Sequence, residues 1–79
     1  MRKMSRDEVT FEIIKHYGVI AEESRGWKKE LNLVSWNGGV PKVDIRSWDE
    51  DHEHASKGLT LTEEEAKVLL SLLSENFEK

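Results

Sequence analysis

Three tryptophans, Trp27, Trp36 and Trp48, share residues 25–48 with Arg25, Lys28, Lys29, Lys42 and Arg46, against only Glu30 and Asp44. Single-stranded nucleic acid is held by cations that follow its phosphates and by flat side chains on which unstacked bases lie. Basic and aromatic residues alternating on one exposed sheet face would supply both. The same types also have a purely structural use, because an arginine beside a tryptophan can be a cross-strand cation–π pair. Spacing alone leaves both readings open. The acid lies elsewhere: residues 62–79 carry two lysines against five glutamates, and residues 49–53 are almost all acidic. The formal net charge of −4 therefore hides a local polarity.

A second cluster invites a metal, since Asp49-Glu50-Asp51-His52-Glu53-His54 is rich in carboxylates and imidazoles. It matches neither the helical zinc-protease pattern nor a calcium loop, which needs a glycine at its turn. It reads as an acidic, solvated loop. His16 alternates with Ile14 and Gly18 and has no partner nearby in sequence, so it is assigned no role. There is no Ser/His/Asp order, isolated carboxylate pair or phosphate-cradling glycine loop. The expectation is a protein that is not an enzyme, with no cofactor, no metal and no small-molecule substrate.

The elements that must position these residues follow from periodicity. Residues 11–23 read as a long strand with Phe11, Ile13, Tyr17, Val19 and Ala21 on one parity, and Gly18 suggests a bulge. Ser24-Arg25-Gly26 is a turn, followed by a second strand over 27–36. Leu31 and Leu33 fall on one face there; Lys28, Glu30, Asn32, Val34 and Trp36 fall on the other. Trp27 shares the leucine parity, so core or turn packing is as good a reading for it as a base platform. Asn37-Gly38-Gly39 is a strong hairpin signal. In the third strand, residues 42–48, Val43 and Ile45 form the expected core face, and Lys42, Asp44, Arg46 and Trp48 point to solvent. A short fourth strand is expected over 57–61.

Thr62-Glu63-Glu64-Glu65 has the form of a capping box at a helix start, with three glutamates where the helix dipole favours negative charge. The helix should run to about Phe77. Its stripe of Ala66, Leu69, Leu70, Leu73 and Phe77 is enough to cover one face of a small sheet. Val68 and Leu72 lie off that stripe. A wide stripe wrapping the sheet is one account; a second copy of the chain, meeting Val68, Leu72 and Phe77, is the better one.

With 79 residues the chain is one domain at most, and a core of that size is marginal by itself. Without cysteine it has no disulfide framework, so oligomerisation is the natural support. No apolar run approaches the ~20 residues needed to span a bilayer, and the charged start lacks the apolar stretch of a signal peptide. The expectation is a cytoplasmic protein, nucleoid-associated in a bacterium, with no membrane partner. Residues 1–9 are expected to be a charged, flexible tail and residues 10–79 the single domain.

The run Lys42-Val43-Asp44-Ile45-Arg46-Ser47-Trp48, followed by Lys57-Gly58-Leu59-Thr60-Leu61-Thr62 and the acidic helix start, resembles the positive-cofactor-four family of transcriptional coactivators. The likeness is closest to its bacterial YdbC-type branch, which is also similar in Phe11-Glu12-Ile13-Ile14, Gly26-Trp27, the stretch from Lys29 to Gly38, and Trp48-Asp49. It covers about residues 10–75 in order. The resemblance implies an α+β fold: a curved four-stranded antiparallel sheet followed by one C-terminal helix, β-β-β-β-α, in a homodimer that binds single-stranded DNA. It carries the family's strand-three basic position onto Arg46, the aromatic after it onto Trp48, and the basic residue of the fourth strand onto Lys57. Trp36 takes the hairpin aromatic, and Lys28 or Lys29 the strand-two basic position. Ser56-Lys57 stands where the family has paired basic residues. With Asn32 and Lys42 from the same face, these form the expected nucleic-acid site. The leading reading is a homodimeric single-stranded DNA-binding module acting as a transcriptional coactivator or in DNA maintenance. The alternatives are a dimeric protein-interaction module using exposed tryptophans, and a single-stranded RNA binder.

Overall fold

The computed structural model describes residues 2–3 and 9–78. Its strands are β1 (Arg2–Lys3), β2 (Thr10–Glu22), β3 (Lys28–Trp36), β4 (Lys42–Trp48) and β5 (Leu59–Leu61), followed by the helix α1 (Glu63–Phe77). They form one antiparallel sheet in chain order. The four expected strands and the C-terminal helix are all present, and the two-residue β1 is added against Thr10 and Phe11. The expected tail over residues 1–9 lies otherwise largely outside the described residues.

Local chemistry accounts for the connections. Asn37 and Gly38 adopt φ of 52° and 74°, the positive values that a tight hairpin demands. The Gly39 N–H donates to the Trp36 carbonyl at 2.8 Å. Asn37 also ties the hairpin to β2: its N–H donates to the Thr10 carbonyl at 2.8 Å and its Oδ1 accepts from the Thr10 N–H at 2.9 Å. At the helix start the Thr62 hydroxyl accepts from the Glu65 N–H at 3.1 Å, and the Glu65 carboxylate accepts from the Thr62 N–H at 2.9 Å. The capping box is complete.

Strand β2 is less regular than its sequence suggests. Its pairing with β3 slips between Ile13 and Lys15, between His16 and Gly18, and between Val19 and Ala21. One slip falls at Gly18, as expected, but the other two break the single parity anticipated for this strand. Phe11, Ile13, His16 and Val19 consequently share the Trp36/Val34/Asn32/Glu30 face, whereas Gly18 and Ala21 lie opposite Leu31 and Lys29.

The largest correction concerns which face is packed. The Leu31, Leu33, Val43 and Ile45 face, expected to be the core, is only half-buried. The opposite face holds the buried cluster of Phe11, Val34 and Trp48, with Ile13, Trp36 and Ala55 against it. Trp48 is 0% exposed, not solvent-facing. The reason is steric: three large rings on one face meet each other, with centroids 5.0 Å apart for Phe11–Trp48, 5.9 Å for Phe11–Trp36 and 6.2 Å for Trp36–Trp48. Residues 49–56 then fold back over them, with Ala55 bridged to Trp48 and the Ser56 N–H donating to the Ser47 carbonyl.

That return also shortens the last strand, which begins at Leu59 rather than at residue 57. Gly58 crosses β4 so closely that a Cβ there would overlap the Arg46 Cβ and the Ile45 carbonyl oxygen. The helix differs from expectation too. It meets β4 and β5, yet none of its residues is buried, and Leu70, Leu73 and Phe77 of the expected stripe are exposed. In one copy of the chain, the stripe does not cover the sheet.

Burial of Trp48 makes a definite demand on stability. Trp48→Ala is expected to cost about 3–5 kcal/mol, the usual range for emptying a buried aromatic site. For a domain this small that should leave much of the population unfolded. Chemical denaturation with circular dichroism checks this; a midpoint equal to the parent's would contradict the packing described.

Candidate nucleic-acid interface

The face that carries the tryptophans is organised around one carboxylate. Asp44, from the middle of β4, is 0% exposed. Its Oδ1 accepts from Arg46 Nε at 2.6 Å, and its Oδ2 accepts from Arg46 Nη2 at 2.9 Å, Thr60 Oγ1 at 3.0 Å and Trp36 Nε1 at 3.2 Å. Such a paired fork is the strong form of an ion pair and fixes the plane of the guanidinium. Arg46 is thereby laid over Trp36, its Cζ 4.6 Å from the ring centroid. It also donates to the Ser56 carbonyl at 3.3 Å. Part of the Arg46 charge is already neutralised by Asp44. The cation–π pair is real, and with Trp36 half-buried it forms a flat platform rather than a free cation.

Lysines flank that platform. Lys28 and Lys42 share its face, since Lys28 pairs with Trp48, Asn32 with Asp44, and Lys42 with Val34. Lys42 is exposed and Lys28 half-buried. Lys57 is exposed in the segment that leads into β5. Lys29 pairs with Ser47 and Ala21 on the opposite face. Of the expected site residues, Lys28, Asn32, Trp36, Lys42, Arg46 and Trp48 share one face, Lys57 sits beside it, and Lys29 lies behind it. Trp48 is beneath the surface, capped by the His52 ring at 5.6 Å.

The sequence reading missed a polar network beside Trp48. Glu30 is 3% exposed and Asn32 0%. Asn32 Nδ2 donates to Glu30 Oε1 at 3.1 Å, and His52 Nε2 lies 3.0 Å from both Glu30 oxygens. His16, given no role from its position in the chain, has its Nδ1 2.7 Å from Asn32 Oδ1. The available signal was alternation itself: Glu30 and Asn32 share the Lys28 parity, and Asp44 shares that of Arg46. The slips in β2 that turn His16 onto this face leave no such mark in the sequence.

The acidic segment is a folded loop. Asp49 Oδ1 accepts from the Glu53 and His54 N–H groups at 2.9 and 3.2 Å, and Oδ2 contacts His54 Nδ1 at 2.7 Å. Burial pushes the Asp49 carboxyl up, but these hydrogen bonds and the His54 charge outweigh it and hold the group below its ordinary value. Among the described residues, no group of three or more His, Cys, Asp or Glu side chains is arranged to hold a metal ion. Nor is any described helix long and apolar enough to cross a membrane.

An open antiparallel sheet followed by one helix, with cations around an arginine–tryptophan platform, defines a small β–α binding domain. Comparison with known proteins makes this specific. Residues 24–72, from the turn before β3 into α1, match the transcriptional coactivator p15 (PC4) family, and the chain belongs to that family. It is also 38% identical over 68 residues to an uncharacterized protein of Treponema pallidum (strain Nichols), which covers 86% of this chain and 80% of that protein. The family is a nucleic-acid-binding, non-enzymatic one, associated with single-stranded DNA and transcriptional coactivation.

The Asp49 cap gives a pH dependence with a definite sign. A carboxyl whose value is lowered on folding stabilises the loop above its ordinary value of 3.8 and ceases to do so as pH falls through the lowered one. The amide proton shifts of Glu53 and His54 should therefore titrate with a midpoint below 3.8. A midpoint above that value would contradict the cap.

Proposed function

We propose that this protein is a homodimeric, cytoplasmic single-stranded DNA-binding module that works in transcription or DNA maintenance without catalysis. The observation that carries the reading is the platform of Arg46 on Trp36 flanked by Lys28 and Lys42, in a chain of a single-stranded DNA-binding family. A base lies on the outer side of the guanidinium that covers the indole, while the lysines, with Lys57, follow the phosphates. Trp48 joins the stack only where residues 49–56 are moved aside. Arg46 contributes mainly a flat surface, because its charge is shared with Asp44. Stacked duplex bases cannot lie on this platform, so single strands are preferred.

The dimer is supported by what the single chain leaves uncovered. The apolar residues available for it include Val68 and Leu72, 59% and 50% exposed, and Phe77. A two-fold pairing of the helices and the half-buried leucine–valine face would cover them.

Two measurements check these readings. Tryptophan fluorescence titrated with a short oligothymidine should report binding whose log affinity falls with log salt at roughly −0.7 per phosphate neutralised. Lys57→Ala should weaken binding and flatten that slope. Equal affinity for a blunt duplex and its separated strands would contradict the reading, and stronger binding of the matching RNA would favour RNA as the ligand. Light scattering should show a dimer at micromolar concentration, and Leu72→Lys should give a monomer or an unfolded chain. A monomeric parent protein would contradict the pairing.

A further inference from the structure

An open, shallow cavity of about 410 Å³ lies on the platform face. Its polar floor is Glu30 and Asn32, and its walls are Ile13, Val19 and the imidazoles of His16 and His52. Lys28 also lines it. The floor is built rather than incidental: both polar side chains are almost fully buried, and the Asn32 amide holds Glu30 in place at 3.1 Å. With His52 swung aside, a planar ring would find Ile13, Val19 and the His16 imidazole beside it, a fixed carboxylate below and a cation close by. That combination suits a nucleobase bound edge-on to the carboxylate.

The chemistry of the floor selects among bases. An ionised carboxylate only accepts hydrogen bonds, through two oxygens side by side. Guanine alone among the DNA bases presents two adjacent donors, N1–H and the 2-amino group, on its pairing edge. Adenine and cytosine offer one amino donor beside a ring-nitrogen acceptor. Thymine offers one N–H between two carbonyl oxygens, which would face the carboxylate with like charge. His52 Nε2 now spans both Glu30 oxygens at 3.0 Å, where the paired donors of guanine would lie. For a base to reach both oxygens, this ring, on a loop whose backbone turns at a φ of 58°, must swing off the carboxylate.

We infer that the cavity floored by Glu30 and Asn32 is a guanine-selective base subsite, whose carboxylate is covered in the free protein by the imidazole of His52. This rests on the single-stranded DNA reading and adds base selection to it, since stacking and phosphate contacts are sequence-tolerant.

The test compares a short oligothymidine with the same strand carrying one central guanine, inosine or adenine, each titrated against the parent protein. The single-guanine strand should bind about tenfold more tightly than the all-thymidine strand, the scale of one good bidentate base contact. Inosine keeps N1–H but lacks the 2-amino group, so it should fall between them. Glu30→Gln removes one acceptor and supplies a donor, so its guanine-to-thymidine ratio should fall to one or below. Equal affinities across the strands in the parent protein would overturn this inference alone. So would a guanine preference that inosine retains in full, or one that persists in a folded Glu30→Gln protein. Binding to none of the strands would overturn the proposed function as well. The inosine series needs no variant and decides the matter even where Glu30→Gln fails to fold.

Discussion

The Asp44 carboxylate ties β3, β4 and β5 together through bonds from Trp36, Arg46 and Thr60. A buried carboxylate is costly unless it is paired and fully hydrogen-bonded. Here the pairing dictates everything around it. Arg46 must lie flat to reach both oxygens, and lying flat it covers Trp36. Trp36, held by its own indole N–H, stacks within 12° of Trp48. Gly58 is the further condition, because no side chain fits where the incoming strand passes Arg46.

The result is a sheet with two unlike faces. One holds the rings, the paired charges and the Glu30–Asn32–His16–His52 network, and residues 49–56 close part of it. The other is aliphatic and half-buried, with a helix beside it whose apolar residues remain exposed. Under the proposed function, one face recognises a ligand while the other meets a second copy. Packing on the tryptophan face is incomplete in one respect. The Trp48 indole N–H is buried without a hydrogen-bond partner, a condition that costs ~1–3 kcal/mol. Opening of residues 49–56 would relieve it.

Much of this was legible in the sequence, and the rest was hidden for identifiable reasons. Turn chemistry at Asn37-Gly38 and the capping box at Thr62 are local, so they read directly. The alternation of β4 marks its observed bounds. Period-two alternation sorts residues into two sets but cannot say which set is packed. Here the large rings of Phe11, Trp36 and Trp48 outweighed the regular Leu31/Leu33 and Val43/Ile45 pattern. The β2 register slips carried His16 onto the tryptophan face, although only one of them coincides with a glycine. Helical periodicity likewise marks an apolar stripe without saying what covers it. The acidic run at 49–54 is a loop, as expected, and it caps itself: Asp49 bonds the backbone N–H groups four and five residues ahead of it.

Under the proposed function the two faces have different work, ligand on the tryptophan face and association on the aliphatic one. Backbone and indole chemical-shift mapping during an oligothymidine titration tests it most directly. The account predicts that the Trp36 indole and the amides of Lys28, Asn32, Lys42 and Arg46 move, while those of Val68, Leu72 and Phe77 stay. Shifts concentrated on the helix, with the Trp36 indole unmoved, would contradict it.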